Sequence, residues 1–173
     1  DRMPLSIDHK YVWPHGREAW VETRGYPVDD GLALFWRDVS ERKASEAAIY
    51  EAKERLRESE DRFRNMADHS AVMMWVTEPD GYCTYLNRGW YEFTGQDPEQ
   101  ALGFGWLDAV HPDDRPRAET DFREANASRT AFRAEYRLRR DDGVYRWAID
   151  AASPRFGDAG EWLGYVGSVI DID

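Results

Sequence analysis

Cysteine is nearly absent: Cys83 is the only one in 173 residues. That excludes an intrachain disulfide framework and fits a reducing, cytosolic location. No apolar run approaches the roughly 18 residues of a membrane span, and no signal peptide opens the chain. No membrane contact is expected in this segment, although a parent protein would be free to carry an anchor elsewhere. Basic residues are short, 23 Lys and Arg against 34 Asp and Glu, for a net charge of −11. Nearly all of the excess acid lies in residues 68–173. An acidic chain without a basic stripe repels phosphate backbones, so nucleic acid is not an expected partner. Walker loops and kinase catalytic motifs are missing. The chain opens on Asp1 rather than Met and reads as a fragment of a longer protein.

What is present in quantity is aromatic side chains, 14% of the chain with eight Trp and nine Tyr. They suffice for a core. The most informative pattern is an internal repeat. Gly16, Trp20 and Pro27 recur at one constant offset as Gly143, Trp147 and Pro154. Gly31 and Asp38 recur as Gly164 and Asp171, after six extra residues in the second copy's hairpin loop. Both copies read as two strands joined by a turn, and they close alike, on Asp38-Val39-Ser40 and Asp171-Ile172-Asp173. The repeat predicts tandem modules, the first lacking its opening half.

Between the copies, residues 40–66 form the clearest helix. Ser40 can cap it, Glu41 adds an acid to its first turn, and neither Gly nor Pro interrupts it. Ser59 followed by Glu60 leaves room for a break there. Ile49, Leu56 and Phe63 fall seven apart, with Ala52, Ser59 and Met66 in the companion seam position. Acids and bases alternate in equal number around that stripe. Two readings stay open, a solvated helix lying on its own domain and a two-stranded coiled coil. The narrowness of the stripe favours the coiled coil.

The remaining residues predict an antiparallel α+β domain. Val72–Thr77 is an apolar run, and Asp80-Gly81 turns into Tyr82–Leu86. Asn87 is placed to cap a short helix that Gly95 ends, and Asp97-Pro98-Glu99 starts another. A longer helix runs from near Pro112 to about Ser128. Residues 131–139 alternate strictly, Phe132, Ala134, Tyr136 and Leu138 against four polar residues, as a half-buried strand does. Asp142-Gly143 then turns into the repeated strand pair.

These phrases resemble the PAS family: NRGWYEFTG from Asn87, GWLDAVHPDD from Gly105, YRLRRDDGVYRW from Tyr136, and the close from Gly164 to Asp173. The resemblance covers roughly residues 60–173, while residues 11–43 resemble only the last strands of such a domain. It implies a five-stranded antiparallel sheet with helices on one face. The implied organisation is a truncated PAS meander at 1–39, a linker helix at 40–66 and a complete PAS domain at 67–173. It also implies a sensory and dimerising role upstream of an output domain in the same parent chain, a histidine kinase or a cyclic-di-nucleotide enzyme. Asp38 and Asp171 then stand at signal-relay junctions, and Ile49, Ala52, Leu56, Phe63 and Met66 on a dimerising helix.

Each chemistry known in the family meets an obstacle here. Flavin-adduct members carry a reactive cysteine where this chain has Trp106, and Cys83 lies instead in the second strand. Haem members need a histidine on the long helix, and residues 116–128 hold none. His111 reads as a turn element, with Asp113 and Asp114 satisfying the start of the next helix. His9, His15 and His69 lack metal-ligand spacing. Gly103 and Gly105 are only part of a dinucleotide fingerprint, Asp108 standing at the third glycine. The chain therefore reads as non-enzymatic, with no cofactor and no metal. A small-molecule pocket of unknown ligand, carried over from the family, would be lined by Trp75, Thr77, Trp106, Tyr136, Leu138, Ala148 and Val169. A ring-filled core is the alternative. The same register sets Tyr145, Trp147 and Ile149 on the outer face of the sheet, where a cover is expected. The rivals to a sensory dimer are a ligand-free structural dimerisation module and a small flavin or redox enzyme.

Overall fold

The computed structural model describes residues 5–173. The chain divides into two compact units, residues 1–60 and 61–173. The first holds three antiparallel strands, β1 (Leu5–Val12), β2 (Glu18–Val28) and β3 (Gly31–Asp38), in the order β1-β2-β3. A continuous helix α1 (Ser40–Asp68) follows, so no break occurs at Ser59.

The second unit contains β4 (Met73–Thr77), β5 (Cys83–Leu86), α2 (Arg88–Thr94), α3 (Pro98–Ala101), a 3-10 turn (Gly105–Ala109), α4 (Arg115–Ser128), β6 (Phe132–Arg139), β7 (Tyr145–Phe156) and β8 (Trp162–Asp171). Its five strands run antiparallel in the order β5-β4-β8-β7-β6. Local chemistry sets the boundaries. Asn87 caps α2 by accepting the Trp90 N–H, and Gly95 ends it in the left-handed region at φ 67°. Asp97 caps α3, with Pro98 in its first turn. β6 buries alternate residues, and those face a core shared with the helices: Trp90, Trp106, Ala118 and Phe122 pack with Trp75, Tyr136 and Tyr165.

The two repeat copies have the same pairing. Leu5↔Gly25 in β1–β2 matches Phe132↔Ala152 in β6–β7, and Val21↔Asp38 in β2–β3 matches Ala148↔Asp171 in β7–β8. The first copy is thus a three-stranded meander in the register of the second. Its faces differ in burial. Trp36 is 72% exposed, whereas Val169 at the equivalent position is 1% exposed. Leu5 and Leu32 are bare where Phe132 and Tyr165 are buried.

Candidate functional site

The second unit encloses a small cavity of about 20 Å³, room for roughly one water-sized particle. Aromatic rings from every side close it: Trp75 from β4, Trp90 from α2, Trp106 from the 3-10 turn, Phe122 from α4 and Tyr136 from β6. Thr77, Cys83, Leu86 and Asp150 complete the lining. The rings meet edge to face, Phe122 at 5.9 Å from Trp106 and 6.0 Å from Trp75 between centroids. Such pairs add roughly 0.5–1.5 kcal/mol each beyond burial. Gly167 on β8 makes this packing possible, because a Cβ there would collide with the Trp75 indole.

Of the seven pocket positions expected from sequence, the structure brings Trp75, Thr77, Trp106 and Tyr136 together on the cavity wall. Leu138, Ala148 and Val169 are buried in the surrounding core and do not line it. The residue that sequence reasoning missed is Asp150. It lies 3% exposed on β7, and its two oxygens accept hydrogen bonds from Trp75 Nε1 at 2.8 Å and the Tyr136 hydroxyl at 2.9 Å. The signal was available, since Ala148, Asp150 and Ala152 share one face of a strand by period two, and an acid on a core face is anomalous. Burial pushes its carboxyl up to about 7, against the lowering effect of the two hydrogen bonds. Burial also pushes the Cys83 thiol up to about 11, so it stays protonated and a poor nucleophile at neutral pH.

A second cluster sits where α4 meets the sheet. Asp113 and Asp114 depart from the expectation that they satisfy the helix start, because neither side chain caps α4. Asp114 instead grips β6, accepting from Arg137 Nε and Nη2 at 2.8 Å and from its backbone N–H at 3.0 Å. A bidentate guanidinium is a stronger partner than exposed helix amides, which water can satisfy. The Arg137 bond holds the Asp114 carboxyl down at about 2. His111 forms the turn: its N–H donates to the Arg137 carbonyl, and its own carbonyl accepts the Asp114 and Arg115 N–H groups.

The repeat ends in one hydrogen-bonded junction, made twice. Asp38 accepts the Ser40 N–H at 3.0 Å, and Asp171 accepts the Asp173 N–H at 3.1 Å. Val39 N–H donates to the Trp20 carbonyl, and Ile172 N–H to the Trp147 carbonyl. The Trp20 N–H donates to Ser40 Oγ, and the Trp147 N–H to Asp173 Oδ2, both at 2.8 Å. At the far end of α1, the buried Asn87 gives two hydrogen bonds to the Ala67 and Val72 carbonyls and accepts the Met74 N–H. Asp68 accepts the Arg88 N–H at 2.8 Å. The end of α1 is therefore hydrogen-bonded to the strand and helix that border the cavity.

Residues 84–169 match the family model described as the PAS fold. The chain belongs to the PAS family. At 42% identity over 171 residues, 98% of this chain, it resembles the uncharacterized protein y4lL of Sinorhizobium fredii, of which it covers 20%. It is 30% identical over 121 residues to the peroxide stress-activated histidine kinase mak1 of Schizosaccharomyces pombe, covering 65% of this chain and 7% of that one. The chain thus spans a fifth or less of these curated relatives. Among solved structures, the PAS domain of a Colwellia psychrerythraea protein aligns with a TM-score of 0.53 at 22% identity, over 65% of this chain and 95% of that one. PAS domains are sensory signalling modules rather than catalysts. Flavin does not fit this one: ring-binding pockets run to roughly 300 Å³ or more, and the cavity is about 20 Å³ with a carboxyl on its wall. Among the described residues no three His, Cys, Asp or Glu side chains gather into a metal-binding group, and no helix is long and apolar enough to cross a membrane.

Proposed function

We propose that this chain is the sensing and dimerising segment of a larger signalling protein, with tandem PAS modules joined by α1 and an output domain elsewhere in the parent chain. The observation that carries the proposal is the twice-made junction. The bonding that starts α1 at Ser40 recurs at Asp173, with Ser40 Oγ replaced by the Asp173 carboxylate as the acceptor of the Trp N–H, so each meander ends in the same kind of outlet. An outlet of that kind transmits small shifts of a sheet to whatever follows it. The histidine kinase mak1, 30% identical over 121 residues, supports a kinase as the output. A cytosolic, non-catalytic role for the segment accords with its acidic surface and inert thiol.

The dimer is proposed to form through α1 as a parallel pair. Ile49, Leu56, Phe63 and Met66 are exposed on one seam, with Leu56 61% exposed, and Ala52 lies among them. A row of large apolar side chains at heptad spacing is buried by a second copy at a gain of about 1.5–3 kcal/mol each. Sedimentation velocity at tens of micromolar tests this. The expected result is a wild-type dimer and a Leu56→Asp monomer; a monomeric wild type would remove the coiled coil. A second reading is favoured by the ring-filled cavity, which suits a structural dimerisation module without any large ligand.

A further inference from the structure

The lining of the cavity has a one-sided chemistry. Four of its hydrogen-bond donors are already committed: Trp75 Nε1 and the Tyr136 hydroxyl to Asp150, Trp90 Nε1 to Gln96 Oε1 at 2.9 Å, and Cys83 to the Tyr85 carbonyl. Thr77 Oγ1 accepts the Tyr165 N–H at 3.0 Å. What remains is the Thr77 hydroxyl proton and, in larger measure, acceptor capacity. Each Asp150 oxygen takes one hydrogen bond, and a carboxylate offers about four acceptor sites. Burial and two neutral donors are the influences on that carboxyl, and no Lys, Arg or His acts on it. The other titratable groups nearby are Tyr136 on β6 and Cys83 on β5, both neutral at pH 7. The cavity is otherwise walled by aromatic rings, a ring type whose faces attract positive charge.

Above the Asp150 midpoint, an anion or an acceptor-rich ring would meet an ionised carboxylate, with the Thr77 hydroxyl as its one free donor. A neutral apolar molecule would bury that charge uncompensated, which is costly. A compact cation carrying N–H donors satisfies the acceptor sites, neutralises the charge and faces the rings. The room available suits a particle close to water in size, which an ammonium ion is.

We propose that this cavity is a binding site for the ammonium ion, with Asp150 as its counter-ion and the Trp75, Trp106 and Tyr136 rings as its walls. The site deepens the sensory reading by naming the ligand class, and rests on that reading only for the idea that occupancy is relayed onward. Occupancy displaces the Asp150 proton, so ligand and pH are linked: cation at ten times its dissociation constant lowers the pH midpoint of Asp150 by about one unit. It also acts on Trp75, the side chain that bridges Asp150 and β8.

The test uses the whole 173-residue chain and ammonium chloride as the probe, with sodium chloride at matched ionic strength as control. The Trp75 indole N–H and the Asp150 carboxyl carbon are followed by NMR. The expected result is a saturable shift of both resonances with ammonium and not with sodium, and a lowered Asp150 midpoint. In Asp150→Asn, still folded by its thermal transition, the response of the Trp75 N–H is lost. Identical titrations in sodium and ammonium overturn the site, a result that needs no variant. Tetramethylammonium, too large for the cavity, is expected to leave both resonances unmoved; a response equal to that of ammonium would overturn the fit to the cavity. Ammonium-specific binding that leaves the sedimentation of the chain and the resonances of α1 unchanged would keep the site and remove the relay, so the two failures are distinct.

Discussion

At the scale of single residues, two carboxyls pull the stability of the PAS unit in opposite directions with pH. Asp150 has a raised folded value of about 7, so between about pH 4 and 7 the folded chain holds a proton that the unfolded chain has released. Its contribution is fully present below about pH 4 and is lost as pH rises toward 7, up to about 4 kcal/mol in all. Asp114 has a lowered value of about 2, so its contribution is present above about pH 4 and is lost as pH falls toward 2. Urea unfolding of Asp150→Asn is expected to show midpoints nearly level between pH 5 and 7, where the wild type declines. A variant that keeps the wild-type slope would mean that Asp150 is ionised throughout the range. The carboxyl was hidden from a sequence reading that followed the family's ligand positions, because those positions single out Leu138 and Ala148 and step over the acid two residues on. Asp150 and its partner Trp75 are 75 residues apart and meet only through the sheet order.

At the scale of elements, most of the strands and helices were legible. Caps at Asn87, Asp97 and Gly95 state their roles locally, and the period-two run at 132–138 states its own face. The repeat predicted two strand pairs, and the structure extends the match to a third strand, since β1 stands to β2 as β6 stands to β7. That third correspondence was faint because Leu5–Val12 shares register but few residue types with Phe132–Arg139. The start of α4 misled for a different reason. Adjacent acids before a helix read as caps, and only the fold reveals that Arg137 is the better partner. The bare face of β1–β3 has an energetic consequence. Two or three strands need something to pack on, and Leu5, Ile7, Leu32, Leu34 and Trp36 are exposed. Hydrogen exchange across Trp20–Val39 is therefore expected to slow as the chain is concentrated, as a second copy covers that face. Protection unchanged in a dilute monomer would show that the meander stands on its own chain.

At the scale of the whole molecule, α1 is the element that runs through both units. It begins at the junction that closes the first meander and ends in the hydrogen bonds of Asn87 and Asp68 beside β4, β5 and α2. The outer face of the five-stranded sheet offers a further apolar area, with Trp147 43% exposed under the Arg137 guanidinium. The central claim is that two copies of α1 pair in parallel and in register. Single cysteines introduced in turn from Ile49 to Met66 and oxidised test it most directly, because the native Cys83 is buried and its thiol stays protonated. The predicted result is interchain cross-linking that peaks at 49, 52, 56, 59, 63 and 66 and falls between them, the three-four spacing of a parallel heptad seam. Uniform or absent cross-linking along the helix would contradict the account.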